Sequence, residues 1–156
     1  MTEPQFPDYQ TKSVAEFMLK AKQATPLFPT IPSLEVRKLR ARLILEEAME
    51  TVHALGFSID AGDSIIDLRI GDVVLFHKWP PDIQLIADGC ADLKVVTVGT
   101  ELACGINGKP VFDEVMDSNM SKFIDGHTRE DGKWVKGPSY RPANIERVLR
   151  EQGWKP

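Results

Sequence analysis

Apolar residues recur at three- and four-residue spacing in four stretches of the chain, and these stretches predict four principal helices. The first runs from Ser13, with Glu16 as its capping-box partner, through Val14, Phe17, Met18 and Leu19 to about Ala24. Residues 1–12 carry Pro4 and Pro7 without an apolar period and read as an extended arm. Pro26, Pro29 and Pro32 force a turn-rich connection to a long second helix that starts at Ser33 and ends near Leu55, where Gly56 tolerates positive φ. From Phe57 to Trp79 the helical period fails. Ser64–Leu68 and Asp72–Phe76 instead read as two short strands about Ile70-Gly71, a hairpin inserted over residues 57–80. A third helix runs from Asp82 to about Cys104 and stops at Gly105-Ile106-Asn107-Gly108. Pro110 opens the fourth, which carries Val111, Val115 and Met116 on one stripe to about Ile124. Residues 126–156 form a C-terminal extension with turn signals around Trp134-Val135 and a closing helix from Pro142 through Ile145, Val148 and Leu149.

The pattern predicts a mainly α fold: a four-helix-type bundle with a small β-hairpin insertion and a short C-terminal extension, in one domain over residues 1–156. A 42% hydrophobic and 27% charged composition excludes a disordered or collagen-like chain. The apolar 83–106 region is broken by Asp88, Asp92, Lys94 and Glu101, so a membrane span is not expected. A formal net charge of −4 gives the chain no general attraction to nucleic acid or an anionic membrane. Cys90 and Cys104, the two cysteines, match neither a zinc site nor a disulfide framework; they read as buried thiols in a reducing cytoplasm.

Candidate chemistry begins with Glu46-Glu47-Ala48-Met49-Glu50, whose three carboxylates share one edge of the second helix. Taken alone, this is a solvated helix face. Asp88 and Asp92 change the reading, because in the third helix they point with Val95, Val96, Gly99, Leu102 and Ala103, towards a core. Ionised carboxylates facing a core need a positive partner, and no Lys or Arg of that helix shares their side. A divalent cation supplies one. Oxygen ligands without His or Cys favour Mg²⁺, with Mn²⁺ as substitute, and Mg²⁺ so held keeps open positions for water and phosphate. Glu50-Thr51-Val52-His53 also fits half of a di-iron carboxylate site, but no second Glu-x-x-His exists. His53 is therefore a surface or lining residue, and neither His77 nor His127 accompanies a recognisable nucleophile. Asn119 and Lys122 share a face and suit phosphate oxygens, although Lys122 also suits the negative end of a helix dipole. Lys133, Lys136, Tyr140 and Arg141 make a basic, aromatic tail that fits either a nucleotide cover or a solvated loop.

Arg42–Glu50, Ile86–Leu93, Glu114–Lys122 and Asp131–Lys136, in that order, resemble the all-α nucleoside triphosphate pyrophosphohydrolases, the MazG-like and phosphoribosyl-ATP pyrophosphohydrolase-like superfamily. The first segment fits that superfamily's Glu-Glu-x-x-Glu helix. The second departs from its usual Glu-x-x-Asp, since Gly89 stands three before Asp92 and Asp88 is the available substitute. The resemblance implies Mg²⁺-dependent cleavage between the α and β phosphates of a nucleoside triphosphate. It implies Glu47, Glu50, Asp88 and Asp92 as metal ligands, Glu46 and Glu47 as catalytic carboxylates, and Asn119, Lys122, Lys136 and Tyr140 as substrate-binding residues. It further implies a cytoplasmic homodimer or homotetramer. Phosphoribosyl-ATP is the alternative substrate, and a non-catalytic nucleotide-binding protein of the same fold is the alternative from another class, for which Gly89 is the hint.

Overall fold

A computed structural model describes residues 8–60, 74–130 and 134–156 of the chain. Five helices and two two-stranded antiparallel sheets lie among them, so the mainly α expectation holds. The chain falls into two compact units: Ser33–Thr100, and the flanking residues up to Pro32 together with Glu101–Pro156.

In the Ser33–Thr100 unit, α2 (Leu34–Ala54) begins where the sequence places it, with the Ser33 hydroxyl accepting from the Val36 N–H at 3.3 Å. It stops at Gly56, whose φ of +93° continues the chain where a side chain would be strained. Residues Phe57–Asp60 form β1 and Val74–His77 form β2, paired from Phe57 opposite His77 to Asp60 opposite Val74. The strand expected at Asp72–Phe76 thus exists in part, but its partner is the segment directly after α2. The other expected strand, Ser64–Leu68, lies outside the described residues. The Gly56 carbonyl accepts from the Lys78 N–H at 2.8 Å and the Ala54 carbonyl from the Asp82 N–H at 2.9 Å, which ties the end of α2 to the start of α3 (Ile83–Ala103). Asp82 caps that helix, its carboxylate accepting from the Gln84 and Leu85 N–H groups.

In the other unit, α1 (Tyr9–Lys20) starts four residues before the expected cap at Ser13. Asp8 is the cap, because its carboxylate takes both the N–H and the hydroxyl of Thr11 at 2.9 Å, an arrangement that leaves Ser13 inside the helix. The expected arm therefore ends before residue 9, and residues 1–7 lie outside those described. Val14, Ala15 and Met18 carry the helix's buried stripe. The helix ends before the expected Ala24, with Lys22 in the left-handed region at φ 56° and the Gln23 N–H bonded back to the Met18 carbonyl.

The fourth expected helix is α4 (Gly108–Ser121), which opens two residues before Pro110 and closes before Ile124. Pro110 still lies in the first turn, where its missing N–H leaves no bond unmade. Beyond it, β3 (His127–Thr128) pairs with β4 (Trp134–Val135), and α5 (Ile145–Glu151) is capped by Asn144 rather than begun at Pro142. Glu114 of α4 fastens α5: it accepts from the Asn144 N–H at 2.7 Å and pairs with Arg147. The cysteines differ from expectation. Both are free thiols, but Cys90 is exposed and Cys104 only half-buried. Among the described residues no helix is long and apolar enough to cross a membrane.

Candidate active site

The acidic site is built by a close approach of α2 and α3 within the Ser33–Thr100 unit. Gly89 is buried against Thr51, and a Cβ at position 89 would lie 2.5 Å from the Thr51 hydroxyl and 3.2 Å from its Cα. Thr51 cannot turn aside freely, since its hydroxyl donates to the Glu47 carbonyl at 2.7 Å. A glycine is what lets the two helices meet here. The departure at position 89 from the superfamily's acidic pattern is therefore a packing requirement of this chain.

Around that contact, one helical stripe of α2 (Glu47, Glu50, Thr51, Ala54) meets one of α3 (Leu85, Asp88, Gly89, Asp92). Glu47 is half-buried, and burial first, then the charges of Asp92, Glu50, Glu46 and Asp88, push its carboxyl above the ordinary glutamate value. None of these influences is a cation. The two acidic segments expected to share a site are thus in electrostatic contact. Their depth differs from expectation: Asp92 is half-buried but Asp88, together with Glu46 and Glu50, is exposed. Asp88 lies on the water-facing side of the stripe that Gly89 and Val96 bury. Among the described residues, no three Asp, Glu, His or Cys side chains already stand close enough to hold an ion as placed. The donor chemistry nevertheless fits a hard divalent cation, because five carboxylates with only oxygen to offer repel one another until a positive charge joins them.

Beside the carboxylates lies a cavity of about 380 Å³. Glu50, Asp88 and Asp92 line it together with Met49, His53, Ala54, Leu85 and Gly89. The His53 ring stands 4.1 Å from that of Trp79, centroid to centroid, and the indole N–H donates to the His53 carbonyl at 2.8 Å. The sequence marks His53 as a surface or lining residue through its Glu-x-x-His spacing, and nothing local marks Trp79.

The four residues expected to bind substrate come together in the other unit. Lys122 donates to the Asn119 side-chain oxygen at 2.5 Å, so the shared face becomes a direct bond. The Lys136 ammonium sits 4.0 Å from the centroid of the Tyr140 ring. A hydrogen bond with Ser118, then one with Lys136, and then the Lys136 and Lys122 charges hold the Tyr140 hydroxyl below the usual phenol value. Two pins fix the tail on α4. The buried Ser121 hydroxyl accepts from the Arg141 N–H at 2.9 Å while donating to the Ser118 carbonyl, and the Trp134 indole donates to the Lys122 carbonyl at 2.6 Å. Ser118 is a participant that the sequence did not single out.

A family model described as phosphoribosyl-ATP pyrophosphohydrolase matches residues 12–119. The chain belongs to that family. As a phosphoribosyl-ATP pyrophosphohydrolase family member it lies within the MazG-like all-α superfamily that its motifs resemble, and it is a hydrolase of pyrophosphate bonds. Members of the family use a divalent metal. The matched span holds all five carboxylates and Asn119, and it ends before Lys122, Lys136 and Tyr140. None of the curated proteins compared with the chain matches it.

Two outcomes follow from the helix contact and the charge it concentrates. Gly89→Ala forces the helices apart at a cost of about 1–3 kcal/mol, more than the roughly 1 kcal/mol that alanine gains over glycine in a helix. Urea unfolding checks this, and a stabilised variant would refute the packing role. Glu47 binds its proton more tightly folded than unfolded, so its contribution to stability is present below the ordinary value of 4.5 and is lost as pH rises through the raised value. Glu47→Gln accordingly raises the melting temperature of the metal-free protein at neutral pH, and added Mg²⁺ raises that of the wild type by more than that of the variant. Thermal scans from acid to neutral pH, with and without Mg²⁺, decide it; equal behaviour of both proteins contradicts the account.

Proposed function

We propose that the chain is a metal-dependent nucleoside triphosphate pyrophosphohydrolase, cleaving the α–β phosphoanhydride to a nucleoside monophosphate and pyrophosphate. The observation that carries this reading is the gathering of Glu47 and Glu50 on α2 with Asp88 and Asp92 on α3, Glu46 beside them, where burial first and then these neighbouring charges hold the Glu47 carboxyl above its ordinary value. Glu47, Glu50, Asp88 and Asp92 are the residues that would hold Mg²⁺ or Mn²⁺. Such an ion, when bound, neutralises phosphate charge and makes water a better nucleophile. Glu46 and Glu47 orient the attacking water. One of these carboxylates takes the water's proton as oxygen attacks the α phosphorus and pyrophosphate leaves. Asn119, Lys122, Lys136 and Tyr140 offer donors and cationic charge to phosphate oxygens.

The MazG-like motif segments support a nucleoside triphosphate as substrate. The family match supports a second reading, phosphoribosyl-ATP, cleaved at the same bond by the same chemistry. We also propose a cytoplasmic homodimer or homotetramer, supported by Leu39 and Leu45 on α2 and Ile83 on α3, large apolar side chains that are 43%, 61% and 76% exposed in the single chain.

Product analysis with Mg²⁺, a panel of ribo- and deoxyribonucleoside triphosphates, and phosphoribosyl-ATP tests the activity. Monophosphate and pyrophosphate are expected, with a loss of about 100-fold or more in Glu50→Gln. Turnover of phosphoribosyl-ATP alone would select the second reading, and diphosphate with orthophosphate would contradict both. Light scattering is expected to give a mass of at least twice the 17.5 kDa chain, and a monomeric mass would remove the oligomer.

A further inference from the structure

Met49 and Leu85 are 50% and 54% exposed on the wall of the α2–α3 cavity, directly beside Glu50 and Asp88. Carboxylates draw water, so they cannot shelter these apolar side chains. A ligand with an apolar face can. His53 lies on the same wall, one turn beyond Met49 and Glu50 in α2, with its side chain exposed. Its ring is backed by Trp79, which is itself fixed. The Trp79 indole donates to the His53 carbonyl, the Lys78 N–H before it donates to the Gly56 carbonyl, and Gly56 lies so close that a Cβ there would stand 2.4 Å from the Trp79 carbonyl oxygen.

A cavity of about 380 Å³ falls within the range that holds small ligands. Its lining joins Met49, His53 and Leu85 to the acidic Glu50, Asp88 and Asp92. Among the described residues that line the cavity, His53 is the one side chain with an N–H donor, too few for a triphosphate chain, and the Lys78 ammonium stands over Trp79, 5.2 Å from its ring centroid. A flat heteroaromatic ring has what the wall requires, two apolar faces and a polar edge, and an imidazole held in place can both stack on such a ring and hydrogen-bond its edge. We propose that His53, held by Trp79, contacts the nucleobase of the substrate and sets the base preference, with Met49 and Leu85 as its apolar floor. This rests on the nucleotide-hydrolysis reading and assigns that substrate's base to the wall beside the acidic residues.

Calorimetric titration with α,β-methylene nucleoside triphosphates and, in parallel, with pyrophosphate, both in Mg²⁺, tests the assignment. His53→Ala is expected to weaken nucleotide binding about tenfold, within the range for removing a ring from under a base, while pyrophosphate binding stays unchanged. His53→Phe keeps a ring against Trp79, so it is expected to keep the melting temperature and most of the affinity while changing the ratio of purine to pyrimidine binding. The proposal is overturned if His53→Ala leaves nucleotide affinity unaltered, if it weakens nucleotide and pyrophosphate equally, or if His53→Phe leaves the base ratio at its wild-type value. Nucleotide binding that depends on His53 without any turnover would sink the hydrolysis reading and leave the base contact standing. Turnover whose base preference ignores His53 would do the reverse.

Discussion

The contact between Gly89 and Thr51 is the constraint on which the acidic site depends. Two helices approach this closely only where something small separates them, and here that something is a hydrogen atom in place of a side chain. Thr51 is held from behind by its bond to the Glu47 carbonyl, so the close approach and the placing of Glu47 are one arrangement. Its consequence is electrostatic. Glu47 sits in a partly dehydrated setting and feels four other carboxylates, a standing cost that a divalent cation would remove.

The ends of α2 and α4 are both closed by an indole. Near the end of α2, Trp79 donates to the His53 carbonyl, which also accepts from the Gly56 N–H, and Trp134 donates to the Lys122 carbonyl at the end of α4. In each case the indole also packs at a tilt against a neighbouring ring, His53 at 52° or Phe123 at 53°. Each of these contacts stands beside a group of candidate functional residues. One holds the aromatic wall of the cavity, and the other begins the tail that brings Lys136 and Tyr140 to Ser118 and Lys122.

Legibility in the sequence followed the range of the interactions. Ser33, Asp82 and Gly56 act within a few residues of themselves, so the limits of α2 and the start of α3 could be read directly. Ser13 failed as a cap because Asp8, also local, offers a carboxylate to two groups of Thr11. Strand pairing is not local, which is why Val74–His77 was recognised in part while its partner was not. The five carboxylates were found because helical spacing places each trio or pair on one face, and that spacing survives folding. Periodicity placed Val96, Gly99, Leu102 and Ala103 correctly on the buried side of α3, but Val95 and Asp88, expected with them, are exposed. The reason for Gly89 was invisible because it belongs to Thr51, on another helix.

Manganese binding measured by electron paramagnetic resonance, which separates free from bound ion, tests most directly whether α2 and α3 form one cation site. The account predicts that the wild type binds Mn²⁺ and that Glu50→Gln on α2 and Asp92→Asn on α3 each abolish most of that binding in a folded protein. Binding unchanged by the loss of either carboxylate would contradict it.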